Sequence, residues 1–228
     1  LIKNIGGVGQ KKLKSSKVLV IGLGGLGSPV VTHLSSSGIG KIGLVDNDKV
    51  DLSNLQRQFI HSVDTIGLNK TESAKIFIDR LNPNLTIYDY STDAKTAEII
   101  EIITQYDVVI DCTDNFKTRF RVADACQKYM KPYILGTVRA YEGQVTTIIP
   151  STSKIKNPKI RNLFDEENIS NTWDDCSDIG VLSVTTTLVG TIMASECLKL
   201  ILNIDEVLVG KMLMVDLLNL KFETIKYK

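Results

Sequence analysis

With 228 residues and a net charge of +1, the chain is long enough for one α/β domain with a large buried core, and it lacks the basic surplus of a nucleic-acid or anionic-membrane surface. Aromatic residues make up 6%, too few for a base-stacking platform, and no signal peptide is visible. None of Cys112, Cys126, Cys176 and Cys197 pair as C-x-x-C, which suits a reducing cytoplasm and excludes a secreted disulfide scaffold.

Gly9 to Leu13 closes a predicted N-terminal helix. Val18 to Ile21 is a short apolar run that reads as a buried strand, and Gly22-Leu-Gly-Gly-Leu-Gly27 follows it directly. Gly22, Gly24 and Gly27 have the G-x-G-x-x-G spacing, and a helix pattern opens at Ser28 and runs to Ser37. A second strand, Ile42 to Val45, ends in Asp46. This is the order of a nucleotide-binding βαβ unit. The glycines permit a tight turn and close approach of backbone N–H groups, the helix N-terminus favours negative charge, and the acid can accept hydrogen bonds from a ribose. The order alone does not say which nucleotide.

Asn47 to Gly67 is polar. A helix over Lys70 to Leu81 puts Ala74, Phe77, Ile78 and Leu81 on one face, and Asn82-Pro83-Asn84 stops it. There follow a strand at Leu85 to Tyr88, a helix at Ala94 to Ile103, and a third core strand at Val108 to Cys112. Thr113-Asp114-Asn115 leads into a helix over Phe116 to Met130, and Tyr133 to Leu135 is a strand beyond Pro132. The alternation predicts a Rossmann-like, mostly parallel sheet with helices on both faces. Gln144 to Ile149 is a further strand, ended by Pro150. Residues 151–175 are polar and without periodicity, the mark of a functional or mobile loop. Gly180 to Leu202 is the most apolar long stretch, but three consecutive threonines, Glu196 and Lys199 make it a buried helix rather than a membrane span. Lys211 to Val215 and Lys221 to Tyr227 read as antiparallel strands around Asn219 that extend the sheet. With no repeat or linker, residues 1–228 are expected to form a single domain. Because it starts at Leu1 and not at Met, a preceding segment is also expected.

The polar stretch after Asp46 narrows the nucleotide chemistry. It holds Asp46-x-Asp48, then Ser53-Asn54-Leu55-Gln56-Arg57-Gln58, then Gly67-x-Asn69-Lys70. Arg57 offers a bidentate fork and Lys70 a point charge, both suited to phosphate oxygens. Asp114-Asn115 ends the third core strand, where ligands bind in open α/β sheets, and an acid there suits Mg²⁺ held partly by phosphates. A ribose acid, two phosphate cations and a metal acid describe a nucleoside triphosphate site better than a dinucleotide site. Each residue also has an ordinary reading. Arg57 and Lys70 could be solvated surface charges, and Asp114 a helix N-cap. His33 and His61 read as structural, and Cys112, Cys126 and Cys197 as small buried hydrophobes.

Together, Gly22-Leu-Gly-Gly-Leu-Gly27, Ser53 to Gln58, Lys70, Asp111-Cys-Thr-Asp-Asn115 and Glu142-Gly-Gln144 resemble the ThiF/MoeB/HesA family, the bacterial relatives of the ubiquitin-activating enzymes. The likeness runs from about Ile5 to about Tyr227. It implies ATP-dependent adenylylation of the C-terminal glycine carboxylate of a small ubiquitin-like sulfur-carrier protein ending in Gly-Gly. It also implies a cytoplasmic homodimer using ATP and Mg²⁺, with no nucleic-acid or membrane partner. By the same resemblance Gly22, Gly24, Gly25 and Gly27 form the nucleotide loop, with Gly25 against the nucleotide. Asp46 holds the ribose, while Asn54, Arg57 and Lys70 hold phosphates. Ser53, Gln56 and Asn115 complete the nucleotide site, and Asp114 holds Mg²⁺. Arg57, Lys70, Asp114 and Cys176 form the catalytic set.

Cys176 lies in Asp174-Asp-Cys-Ser-Asp-Ile-Gly-Val-Leu182, where a cysteine of ThiF-like relatives can join covalently to the carrier. Its acidic neighbours raise a thiol's pKa, and the alternative is an exposed loop cysteine. Trp173 reads as a packing anchor or a carrier contact. The implied pathway is thiamin thiazole or molybdopterin synthesis, and Gly27-Ser28-Pro29 with Cys176 lean toward the first.

Three departures from the family pattern stand out. Many relatives hold zinc between two C-x-x-C pairs. Here Lys159 and Asn162 occupy the first pair's place and the second would fall after Tyr227, so no zinc is expected. An Arg-Gln pair that relatives extend into their partner's site would precede Leu1. Ser183 to Leu188 is richer in hydroxyls than the family's helix. Two other function classes stay open: a non-catalytic or heterodimer partner subunit, and a nicotinamide-dependent dehydrogenase, which would leave Arg57, Lys70 and Asp114 without purpose.

Overall fold

The apolar runs form one eight-stranded sheet in the computed structural model, which describes residues 2, 5–94, 96–150, 159–166 and 180–227. Strands β1 (Lys17–Ile21), β2 (Lys41–Val45), β3 (Thr86–Tyr90), β4 (Val108–Asp111) and β5 (Tyr133–Arg139) are parallel, in the order β3-β2-β1-β4-β5. Strands β6 (Glu142–Ile148), β7 (Lys211–Asp216) and β8 (Lys221–Lys226) continue the sheet beyond β5 in antiparallel order. The helices placed wholly among the described residues are α1 (Gly6–Ser15), α2 (Gly27–Ser36), α3 (Lys70–Leu81), α4 (Glu98–Thr104), α5 (Phe116–Lys128) and α6 (Ser183–Leu202).

The central strands read as unbroken apolar runs because both faces of the sheet are covered. Val18 and Val20 of β1 join one core with α1, α2, α3 and α6, while Leu19 and Ile21 join a second core with α4 and α5. The same alternation splits Ile42 and Leu44 from Val45, and Val108 and Ile110 from Val109.

Helix α6 is long and apolar enough to cross a membrane by length and composition. In the fold it packs on α2, β5 and β6, and Gly190 lets it approach α2 where a Cβ would collide with Leu26 O. Its buried Glu196 accepts hydrogen bonds from Thr147 Oγ1 (2.8 Å) and Leu208 N (2.6 Å) and pairs with Lys199, so the charge within the helix is neutralised inside the protein.

Antiparallel pairing begins earlier than the strands flanking Asn219. The strand expected to end at Leu135 runs on to Arg139 and turns through Ala140, at φ 48°, into β6. Gly136 stands inside this strand because Met193 of α6 occupies the space a Cβ would need. Helix α4 starts at Glu98 rather than Ala94. Of the polar 151–175 segment only residues 159–166 are described, with a 3-10 turn at Ile160–Asn162. The rest of that loop, Trp173 and Cys176 lie outside the described residues.

Candidate functional site

The strand order reverses between β1 and β4, and the loops after these strands flank the crevice where open α/β sheets bind ligands. Two of the four loop glycines are required by the chain itself. Gly22 has φ +90°, and a Cβ on it would lie 2.8 Å from Cys112 O. A Cβ on Gly27 would run into Gly22 O. Gly24 faces the Gln58 amide, with ordinary contact distance at 3.5 Å. Gly25 lies against the first turn of α6, where a Cβ would come within 3.0 Å of Thr186 Cγ2. This accounts for the hydroxyls of Ser183 to Leu188. Thr185 Oγ1 donates to Ala140 O (3.2 Å), and Thr186 and Thr187 donate back to Ser183 O, so small buried side chains meet the loop with their polar atoms satisfied.

Asp46, at the end of β2, accepts hydrogen bonds from Leu23 N on Oδ2 (2.7 Å) and Asp48 N on Oδ1 (2.9 Å). Burial pushes its carboxyl above the ordinary value of 3.8, against the opposing pull of Lys70 and the two N–H groups. Lys70 opens α3 and is only 6% exposed, so it is not a solvated surface charge. Its Nζ lies 2.8 Å from Asp48 Oδ2, and its N–H donates to Asp48 O. The Asp48 side chain is 63% exposed, so it can yield the ammonium to an incoming anion.

Ser53 and Asn54 form a 3-10 turn capped by Asp51, whose Oδ1 accepts from Ser53 N (2.8 Å) and Ser53 Oγ (2.6 Å). These bonds hold the Asp51 carboxyl below its ordinary value. Gln56 is exposed. Arg57 is half-buried and has no side-chain partner among the described residues. Gln58, next to it, is 4% exposed, and its Oε1 has no hydrogen-bond partner among the described residues.

On the other side of the crevice the N-cap of α5 is Asn115, not Asp114. Asn115 Oδ1 accepts from Thr118 N (3.0 Å) and Thr118 Oγ1 (2.8 Å). Asp114 is left exposed, with one long contact from Asn115 Nδ2 at 3.4 Å. The turn that presents it is held from below. Buried Asp111 accepts from Thr113 N (2.9 Å), Thr113 Oγ1 (2.7 Å) and Tyr133 OH (2.7 Å), and buried Arg119 donates to Thr113 O through Nε (3.2 Å) while stacking on Phe116. Burial and the Asp111 carboxylate keep Tyr133 protonated by pushing its hydroxyl far up. Asp111 was visible as part of a motif, without a role. Cys112, Cys126 and Cys197 are buried as expected, and burial pushes all three thiols up.

The fold thus gathers Asp46, Lys70 and the glycine loop on one side of the crevice and Asp114 on the other. Arg57, without a side-chain partner among the described residues, suits an anionic nucleotide, the exposed Asp114 carboxylate suits an accompanying cation, and Gln58 Oε1 is left as an acceptor for a donor group. No group of three or more His, Cys, Asp or Glu suited to a metal occurs among the described residues. Mg²⁺ at Asp114 would therefore draw other ligands from phosphates and water, which is its habit.

Residues 1–228 match the model of the ThiF family. The chain is 42% identical over 219 residues to a probable molybdopterin-synthase adenylyltransferase of Porphyra purpurea, covering 96% of this chain and 56% of that protein. It is 38% identical over 228 residues to the SAMP-activating enzyme E1 of Haloferax volcanii, covering 100% of this chain and 83% of that one. Among solved structures, Escherichia coli MccB with ATP matches with a TM-score of 0.81 at 24% identity, over 95% of this chain and 65% of MccB, a likeness of fold. The chain spans little more than half the length of the Porphyra protein.

Proposed function

The chain belongs to the ThiF family, and we propose that it adenylylates the C-terminal glycine carboxylate of a small ubiquitin-like sulfur-carrier protein at the expense of ATP. The carboxylate oxygen attacks the α-phosphorus, the bond from that phosphorus to the bridging oxygen breaks, and pyrophosphate leaves with the electron pair. Both reactants are anions and the enzyme supplies no nucleophile, so positioning and charge neutralisation do most of the work.

The observation that carries this reading is Lys70, a buried ammonium beside Asp46 whose present counter-ion is an exposed carboxylate. An incoming phosphate replaces Asp48 on Lys70, while Arg57 takes a second phosphate with its fork. Asp46 keeps its oxygens oriented by Leu23 and Asp48 N–H and accepts from the ribose hydroxyls. The glycine loop leads into the N-terminus of α2, whose N–H groups suit a phosphate. Mg²⁺ held by Asp114 would neutralise the departing pyrophosphate. A non-catalytic partner subunit would have no use for an Arg57 without a side-chain partner among the described residues and an exposed Asp114.

A cavity of about 190 Å³ lies between the ends of β5 to β8, bordered by Thr137, Arg139, Gln144, Met214 and Asp216. We infer that this cavity, lined by the last residues of β5, takes the glycine tail of the carrier. A homodimer and the absence of zinc belong to the same proposal. Of the two pathways kept open, molybdopterin synthesis has the support of a relative so named.

The test is pyrophosphate–ATP exchange with Mg²⁺ and carriers ending in Gly-Gly, with NAD binding measured alongside. Carrier-dependent exchange without NAD binding is expected. NAD binding without ATP binding would reject the proposal.

A further inference from the structure

The proposed site needs two segments at a fixed spacing, the glycine loop with its N–H groups and the start of α3 with Lys70. One side chain joins them. His61 is 6% exposed, with Nε2 at 2.9 Å from Leu23 O and Nδ1 at 2.8 Å from Ser73 Oγ, three residues beyond Lys70. A carbonyl oxygen only accepts, so Nε2 carries the proton. Burial pushes the imidazole down to about 4 and so keeps the ring neutral, which leaves Nδ1 to accept from the Ser73 hydroxyl. The Ser73 hydroxyl also donates to Thr65 Oγ1 (2.8 Å), whose own proton goes to Ser62 O, so the one Ser73 proton is shared between Nδ1 and Thr65 Oγ1 as a three-centre bond. On the opposite side Asp46 takes the Leu23 N–H. Both polar backbone groups of Leu23 are therefore held, one by the ribose acid and one by His61.

Resting on the ATP reading, we propose that His61 is a positioning residue of the nucleotide site, tying the glycine loop to α3 so that the loop N–H groups and Lys70 face the same phosphates. It acts through Leu23 and Ser73 and makes no contact with the nucleotide. A planar ring with a donor on one edge and an acceptor on the other sets this spacing without a flexible stem.

The test is Mg²⁺–ATP binding by calorimetry and the dependence of exchange on ATP, on the full chain at a mildly alkaline pH. Native protein comes first: no binding there rejects the ATP reading and not the tie. Given native binding, His61→Phe keeps the ring volume without a donor and should weaken ATP about tenfold, the equivalent of one lost hydrogen bond. The KM for ATP should rise with it while kcat changes by less than about threefold. His61→Gln, whose amide can donate to Leu23 O, should recover most of the affinity. Ser73→Ala removes the other half of the tie by a small change and should weaken ATP about threefold. If His61→Phe does not fold, Ser73→Ala and His61→Gln decide. Native-like ATP affinity in folded Ser73→Ala, or a His61→Gln as impaired as His61→Phe, would overturn the proposal.

Discussion

Acid should act on this protein first through His61. Free histidine titrates near 6.5, whereas burial holds the folded ring at about 4; Lys70 adds to the drop and the bond to Leu23 opposes it. As pH falls below 6.5 the unfolded chain takes up a proton on this residue, and the folded chain does not until about 4. In that window the unfolded state binds more protons, so stability falls as pH falls. Each pH unit costs about 1.4 kcal/mol, and the whole contribution is about 3 kcal/mol, complete above the unfolded value and lost as the folded one is reached. Asp46, whose carboxyl burial raises, changes in the opposite direction and does so in any variant that keeps it. The comparison is therefore native protein against His61→Gln, by urea unfolding followed by circular dichroism between about pH 7.5 and about pH 4. The native protein should lose about 3 kcal/mol more than the variant across this range. Parallel pH dependences would show that the imidazole is not held neutral in the fold, and the tautomer assigned above would fall with it.

Three further outcomes follow from the site. Arg57→Ala should lower pyrophosphate exchange about a hundredfold, near 3 kcal/mol of lost stabilisation, yet leave unfolding free energy within about 0.5 kcal/mol because the side chain has no partner among the described residues; a large stability loss would mean it is structural. The neighbours Asp114 and Asn115 should separate: Asp114→Ala abolishes exchange at unchanged melting temperature, while Asn115→Ala costs about 1 kcal/mol of stability through the lost cap. Equal stability losses in both would contradict the capping assignment. Cys176→Ser should keep exchange near the native rate, since adenylylation needs no enzyme nucleophile, and loss of exchange would place this residue in the ATP site.

Much of the sheet was legible because strands buried on both faces leave unbroken apolar runs, as Val18 to Ile21 and Val108 to Ile110 do. The hairpin at Ala140 was not. Glycine weakens a strand interior, and only the position of Met193 on α6 explains why one stands there. Asp46, Arg57 and Lys70 could be picked out by residue type and spacing, but the counter-ion of Lys70 could not. Asp48 was visible two residues from Asp46, and nothing local said that Lys70 would be buried against it. Asp114 and Asn115 are both good N-caps, and only the backbone shows which one α5 starts from. His61 carried no signal because its partners, Leu23 and Ser73, lie 38 and 12 residues away. Ties of this kind arise from how the sheet brings loops together, which periodicity does not record.

The most direct measurement is the intact mass of a candidate carrier ending in Gly-Gly after incubation with the protein, ATP and Mg²⁺. The carrier should gain the mass of one adenylyl group, only with ATP present and only while its terminal glycine is intact, with pyrophosphate released in equal amount. A carrier recovered unmodified alongside ADP and phosphate, or an adenylyl group on a carrier without its terminal glycine, would contradict activation of the C-terminal carboxylate.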